Sequence, residues 1–238
     1  MTYGIPNLHV DSVNMDAPIP LGFLRSIGFS PNLFMLETFI DDLALAAGRD
    51  AYAFRRRLLA ADPRGLAVLD AAAKPAGSGE RKLPPGHGLG MAYLPYRGRG
   101  ESFVACIAQV AEVSVEGEGR CRVHRIHAAI VVGTVINPRL VGAQAHSDIG
   151  WGLTQAFMGK ITFADGAVQQ SNFHDYRMLT MAQMPDVKVI LLDQDDTLGG
   201  AGEIAVAPVA PAVADAIRAA SGKTLRRMPF SDEGITLV

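Results

Sequence analysis

The chain has 238 residues and a mass of 25.3 kDa, with 49% hydrophobic and 19% charged residues. This composition supplies enough apolar material for one large domain or two small ones, and it argues against a disordered chain. The formal net charge of −2 gives no indication that nucleic acid or an anionic membrane is a partner.

The N-terminal part of the sequence predicts an extended arm followed by helices. Residues 1–29 combine glycine and proline with isolated apolar positions, a composition typical of a segment that lies on another surface. From Ser30, the first residue of a Ser-Pro pair, apolar residues at helical spacing predict a helix that ends at Gly48. Asp50 and Asp62 are expected to cap two further helices.

A change of pattern divides the chain near residue 80. The run from Lys74 to Gly90 is rich in glycine and proline, which makes it the best internal boundary. Beyond it, apolar residues alternate with others from Phe103 to Ile130 around a Gly-Glu-Gly turn, a pattern that predicts a β-hairpin. We therefore expect an arm and helical region over residues 1–80 and an α+β region over residues 81–238.

The C-terminal part predicts a long helix and then a mixture of strands and helices. Asn137 precedes a proline and is expected to cap a helix that runs through Phe157. The fold class is therefore α+β, with helices first, then a hairpin, a long helix and a mixed C-terminal part. The later predicted elements are a short hairpin at 165–166, a strand at 187–192, a glycine-rich loop at 198–203, and a helix at 210–220 closed by Gly222.

The number of cysteines and the hydropathy of the sequence limit the classes of protein to which the chain could belong. Cys106 and Cys121 are too few for a disulfide scaffold or a four-cysteine metal site, and we interpret both as buried free thiols. His124 and His127 are separated by three positions on a strand and therefore face opposite sides, so we predict no metal site there. No apolar run reaches the ~18 residues that span a bilayer. Residues 1–16 lack the pattern of a signal peptide, so we expect a soluble chain.

The sharpest local feature is the run Gly199-Gly200-Ala201-Gly202-Glu203. Small residues let a backbone approach a ligand closely, while one carboxylate projects from the loop. On spacing alone, a flexible turn that ends in a solvated glutamate is the more ordinary interpretation. The run matches neither of the glycine-rich motifs that bind nucleotide phosphates.

Other polar residues have ordinary alternatives. Arg25 lies in the arm, where its guanidinium could hold an anionic or carbonyl-rich group or form a surface ion pair. Gln144 and Asp148 share one helix face, and spacing alone favours contact with water over contact with a ligand. The basic run at 55–57 is interpreted as a solvated helix face.

Five separated motifs, in order, carry a family resemblance. They are FLRSIGFSPNLFMLETFIDDLALAAGRD (23–50), INP (136–138) with the following AQ, QQSNFHDYRML (169–179), GGAGE (199–203) and APVAPAVADAI (207–217). Together they resemble the molybdopterin-binding large subunit of the xanthine oxidase family, in its isoquinoline 1-oxidoreductase and aldehyde dehydrogenase branch. The resemblance covers only the C-terminal part of such a subunit, and it implies the fold of that molybdopterin-binding region.

The resemblance implies an oxidoreductase chemistry. Such enzymes hydroxylate an N-heterocycle or oxidise an aldehyde, with water as the source of oxygen. Glu203 matches the family's catalytic glutamate, a general base on a hydroxide bound to molybdenum. Arg25 and Gln144 match residues near the cofactor, and Gly200 and Gly202 would let the loop approach it closely. No residue of this chain is expected to bind the metal directly.

The resemblance also implies that the site is shared. We expect a partner subunit carrying the N-terminal molybdopterin-binding segments and an electron-transfer subunit with iron–sulfur or haem centres, and we expect the isolated chain to be inactive. His146, Ser147 and Asp148 stand where the family usually has Glu-Gly-Gly. The alternative is therefore a non-catalytic, cofactor-free paralogue that self-associates, for example as a homodimer. A cytoplasmic location is favoured, with the periplasm open through an exported partner.

Overall fold

The computed structural model describes residues 3–97, 104–192 and 198–238, and it confirms the α+β class. Strands β1 (His87–Arg97), β2 (Val104–Glu116) and β3 (Arg120–Val131) form an antiparallel meander. Strand β6 (Asp186–Leu191) extends the sheet parallel to β3, and the short β7 (Thr236–Leu237) pairs with the start of β3. The predicted hairpin is therefore the centre of a larger sheet; Phe103 lies outside the described residues.

The predicted helices form with shifted ends. Helix α1 (Phe29–Ala46) starts before Ser30 and ends before Gly48, because Ala47 already caps it with backbone hydrogen bonds. Helices α2 (Ala51–Leu58) and α3 (Pro63–Ala76) begin as predicted. Asp50 accepts a hydrogen bond from Ala53 N, and Asp62 accepts one from Gly65 N.

The C-terminal elements are also those that the sequence predicts. Asn137 caps α4 (Pro138–Phe157) by accepting hydrogen bonds from the amides of residues 139 and 140. The small hairpin is formed by β4 (Phe163–Ala164) and β5 (Ala167–Val168). Helix α5 (Val209–Ser221) ends at Gly222 in the left-handed conformation, and short 3₁₀ helices cover 181–183 and 230–233.

Strand β1 was missed because it begins inside the glycine- and proline-rich boundary segment. Its glycines are required by close packing rather than by a turn. A Cβ added at Gly88 would lie 2.1 Å from the carbonyl oxygen of Ala216, and one added at Gly90 would lie 2.2 Å from that of Ala212. Helix α5 therefore packs with its backbone directly on that of β1. Glycines usually indicate a loop, but here they belong to a strand that lies beneath a helix.

Gly90→Ala is therefore expected to lower the free energy of unfolding by about 1–3 kcal/mol, since the helix or the strand must move to admit the methyl group. Urea denaturation measures this loss. The control is Gly142→Ala in α4, where nothing lies within 4 Å of the added Cβ. That variant should be neutral or more stable by about 0.5–1 kcal/mol, and equal losses at both positions would refute the close-packing explanation.

Helices cover both faces of the sheet. Helices α4 and α5 pack on one face, around Ile107, Ile126 and Leu153. Helix α3 packs on the other face, where Leu69 and Tyr93 belong to one buried cluster. Side chains from both sides of residue 80 share this second core, and the division into 1–80 and 81–238 stays a proposal.

The basic run at 55–57 is not a uniformly solvated face, as the sequence interpretation expected. Arg55 is fully buried and donates from Nε to Glu37 Oε2 at 3.1 Å and from Nη1 to Asp41 Oδ1 at 3.0 Å. We define the buried ionic cluster by five residues that connect α1, α2 and α5: Glu37, Asp41, Arg55, Asp215 and Arg218. The neighbouring arginines of the run, at 56 and 57, are exposed, as predicted.

The N-terminal arm is held at both ends and exposed between them. Tyr3 is buried and donates its hydroxyl hydrogen to Glu37 Oε2 at 3.1 Å. All of residues 6–24 are exposed. They include large apolar side chains such as Val13, Met15 and Phe23, of which Phe23 is 92% exposed. None of the helices in the three described ranges is long and apolar enough to cross a membrane.

Candidate functional site

The carbonyl oxygen of Gly202 is the point where three chain segments meet. Arg25, in the arm, donates to this oxygen from Nε at 3.2 Å and from Nη2 at 3.0 Å. Gln144, on α4, donates to it from Nε2 at 2.6 Å. The arm, the long helix and the glycine-rich loop are therefore joined at one backbone atom.

Both carboxylate oxygens of Glu203 accept hydrogen bonds. Ser26 N donates to Oε2 at 3.0 Å, and the Tyr96 hydroxyl donates to Oε1 at 3.2 Å. Burial and the neighbouring carboxylate raise the pKa of Tyr96, so its hydroxyl stays protonated and available as a donor. The Tyr96 ring lies 4.8 Å from that of Phe29, centroid to centroid. The Glu203 side chain thus has a fixed orientation rather than the solvated one that is ordinary for such a loop.

The turn that supplies the Ser26 amide is conformationally unusual. Ser26 and Ile27 have φ values of 77° and 45°, in the left-handed region that β-branched residues such as isoleucine rarely adopt. This conformation costs free energy, which the contacts of Ser26 with Glu203 and of Arg25 with Gly202 offset. The arm is therefore shaped specifically where it meets the loop.

Asp148 lies under the site and is fully buried. It forms an ion pair with Arg25, accepts a hydrogen bond from Ala205 N at 3.0 Å, and accepts a weaker one from Gln144 Nε2 at 3.4 Å. Burial raises the pKa of Asp148 to about 7, although Ala205, Arg25 and Gln144 each favour the ionised form. The sequence favoured water as the partner of the helix face that carries Gln144 and Asp148. This is wrong for Asp148, because the fold places the arm and the loop over α4.

The sheet supports the same loop from below. Gln109, fully buried on β2, donates from Nε2 to the carbonyl oxygen of Ala205 at 2.8 Å. A Cβ at Gly152 of α4 would lie 2.8 Å from the carbonyl oxygen of Val206, so the glycine lets the segment after Glu203 pass directly over the helix. The catalytic candidate is therefore attached to rigid elements rather than to a free turn.

Four of the five predicted site residues come together. Arg25, Gln144, Gly202 and Glu203 are joined by direct hydrogen bonds or adjacent in the chain, whereas Gly200 makes none of the described side-chain contacts. Sequence reasoning missed Ser26, Tyr96 and Asp148 as parts of the site. Tyr96 lies on the strand that was not predicted, and Ser26 contributes through its backbone, which leaves no sequence signal. Within the described ranges no group of three or more potential ligands could hold a metal ion.

Comparison with known proteins gives a family match over part of the chain. The model of the molybdopterin cofactor-binding domain matches residues 68–185. Residues 68–185 are therefore similar to a molybdopterin cofactor-binding domain. Gln144 and Asp148 lie within the matched range of this domain, whereas Arg25 and Glu203 lie outside it.

The chain is similar to proteins that are much longer than it is. It is 33% identical to the beta subunit of isoquinoline 1-oxidoreductase from Brevundimonas diminuta, over 97% of this chain and 29% of that protein. It is 28% identical to a nicotinate dehydrogenase subunit from Pseudomonas putida, over 98% of this chain and 21% of that protein. The fold is similar to that of the aldehyde oxidoreductase from Desulfovibrio desulfuricans, with a TM-score of 0.71 and 12% identity over 87% of this chain and 40% of that one.

The residues of the site fit a molybdopterin group in chemical type. A guanidinium, an amide and a carboxylate lie around an exposed glycine, and nothing lies within 4 Å of the Cβ position of Gly202. This open side leaves room for a polar group beside the loop. Arg25, Gln144 and Glu203 are the side chains that would contact such a group.

Proposed function

We propose that this chain supplies the general base, Glu203, to a molybdenum hydroxylase whose remaining cofactor-binding segments lie outside these 238 residues. The observation that carries the proposal is the fixed carboxylate of Glu203, held by Ser26 N and Tyr96 OH at 3.0 and 3.2 Å beside the open face of Gly202. A positioned carboxylate is what proton transfer at a reacting centre needs.

The division of labour follows from what the chain contains. When bound, the molybdenum cofactor supplies the oxidation of an aldehyde or an N-heterocycle, with oxygen derived from water. The chain's own part is to hold Glu203 so that one oxygen can accept a proton. Tyr96 and Ser26 keep the carboxylate from rotating, and Arg25 and Gln144 hold the loop that carries it.

A partner polypeptide is part of this proposal. The chain spans 29% and 21% of the length of the two relatives named above, both of which are subunits by name. Residues 6–24 expose large apolar side chains over a long stretch, which is unusual on a surface that faces only water. We assign this surface to contact with the remaining cofactor-binding segments, and an electron-transfer subunit completes the enzyme.

The test is the molybdenum content of the protein isolated gently from its native source. We expect about one molybdenum per chain, as in a single catalytic site, together with a second polypeptide in the same particle. Size-exclusion chromatography with mass spectrometry identifies that polypeptide. If the chain is isolated with neither molybdenum nor a second polypeptide, the proposal is refuted. Cell fractionation of the same sample tests a cytoplasmic location, which the two buried free cysteines favour.

A second candidate, a cofactor-free paralogue that self-associates, is favoured by one specific observation. The donor groups of Arg25 and Gln144 are already bonded to Gly202, Ser147 and Asp148 of the same chain. In such a site the polar groups already have partners within the chain itself. Sedimentation of the protein from its native source, together with its molybdenum content, separates the two candidates. A homodimer free of molybdenum would support the second.

A further inference from the structure

The carboxylate of Asp148 places a negative charge beside Arg25 in the candidate site. We propose that Asp148 is an internal counter-ion that occupies the guanidinium of Arg25, so that an external oxyanion binds Arg25 only when this carboxylate is displaced or neutralised. The inference rests on the proposed function for the location of the site and concerns its regulation. It requires neither a cofactor nor catalysis to be tested.

The geometry shows how completely Arg25 is occupied. Its Nε and Nη2 donate to Gly202 O, its Nη1 donates to Ser147 Oγ at 3.1 Å, and Nη2 also contacts Asp148 Oδ1. A guanidinium has five N–H donors in a fixed plane, so an incoming oxyanion must share or replace these bonds. The Arg25 side chain is nevertheless 24% exposed, whereas that of Asp148 is fully buried. Part of the Arg25 side chain is therefore accessible to a ligand from solvent, whereas the carboxylate is not.

Because Asp148 is buried, its charge depends on the groups around it and on the pH. Arg25 on the arm and Glu203 on the loop are the charged groups that act on it from the packed segments, and Gln144 and Ala205 N contribute neutral donors. Arg25 favours the ionised carboxylate, whereas burial and Glu203 oppose it. When Asp148 takes up a proton, Arg25 loses its counter-ion but keeps its bonds to Gly202. A positive charge without its counter-ion is then left at an accessible position, where two oxygens of an oxyanion can accept parallel hydrogen bonds from the guanidinium.

Sulfate is a suitable probe because its charge does not change between about pH 6 and pH 8, unlike that of phosphate. The full chain is titrated with sulfate at constant ionic strength, and binding is followed by the NMR signal of the Arg25 Nε–H group. The variants are Asp148→Asn, which keeps the shape but removes the charge, and Asp186→Asn. Asp186 is the matched control, because it pairs with Arg125 on the surface and its substitution makes the same change of net charge.

We expect Asp148→Asn to increase the sulfate affinity about tenfold at pH 8, with no comparable gain for Asp186→Asn. In the unmodified chain, lowering the pH to about 6 should raise the affinity toward that of Asp148→Asn, whose own affinity should change little. If Asp148→Asn fails to fold, the test is the rise in affinity of the unmodified chain between pH 8 and about pH 6, which Arg25→Gln should abolish and Asp186→Asn should retain.

Three results would overturn the inference. The first is an unchanged affinity in Asp148→Asn at pH 8. The second is an equal gain in Asp186→Asn, which would mean a general charge effect. The third is a gain that persists when Arg25→Gln is added to Asp148→Asn, which would place the sulfate elsewhere. None of these results bears on whether Glu203 acts as a base, so the inference and the proposed function fail independently.

Discussion

Arg55→Met is expected to reduce the free energy of unfolding by about 3–5 kcal/mol, measured by urea denaturation near neutral pH. Arg55 is the fully buried cation of the ionic cluster, and it donates hydrogen bonds to both Glu37 and Asp41. Methionine has a similar length and fills much of the same space, but it leaves the carboxylates without this cation. The cost is therefore electrostatic rather than a loss of packing volume.

The pH dependence separates this explanation from a packing defect. Burial raises the pKa of Glu37 and of Asp215 above their ordinary values. A group whose pKa is raised by folding binds protons more readily in the folded chain, so its contribution is fully present at low pH and is lost as the pH rises. The Arg55→Met variant should therefore regain part of its stability at about pH 5.

Arg57→Met is the matched control. Arg57 lies on the same helix and is exposed, so we expect a change within about 0.5 kcal/mol. A loss at position 57 equal to that at position 55 would mean that helix α2 is sensitive to any such substitution. A loss at position 55 that is independent of pH would contradict the electrostatic explanation.

Glu203→Gln is expected to lower kcat by about 10²–10⁴-fold in the assembled enzyme, because the amide cannot act as a general base. Glutamine retains an oxygen that can accept from Ser26 N or Tyr96 OH, so the loop should keep its position. Steady-state turnover of the complex isolated from its native source measures the effect. The molybdenum content of the variant complex should equal that of the unmodified one.

The control for this change is Glu118→Gln, in the exposed turn between β2 and β3. It makes the same chemical change at a surface position, and turnover should be unaffected. Full turnover in Glu203→Gln would exclude Glu203 as the base. A variant complex that has lost molybdenum would show that the residue acts in assembly instead.

The sequence predicted the helices and most strands because their signals are local. Caps such as Asp50, Asp62 and Asn137 act within one turn of a helix, so a few neighbouring residues suffice to identify them. Strand β1 was missed because its two glycines fit the backbone of α5, a contact between segments more than a hundred residues apart. The solvent exposure of Arg55 was misjudged for the same reason, since Asp215 lies on that distant helix.

The site was predictable where a side chain carries the chemistry. Arg25, Gln144 and Glu203 follow from the family resemblance, and the structure brings them within direct reach of one loop. Asp148 was visible in the sequence, but its partners come from the arm and from a backbone amide after Glu203. Neither spacing on α4 nor composition contains that information, since both describe one segment at a time.

The acceptor shared by Arg25 and Gln144 is a main-chain carbonyl, that of Gly202. Every amino acid has this oxygen, so a mutation at position 202 can change the side chain without deleting the acceptor. Nothing lies within 4 Å of the Cβ that such a mutation would add. Evolution can therefore alter the size and polarity of the space beside Glu203 by single substitutions at 202, while the three-way connection that holds the loop is inherited intact.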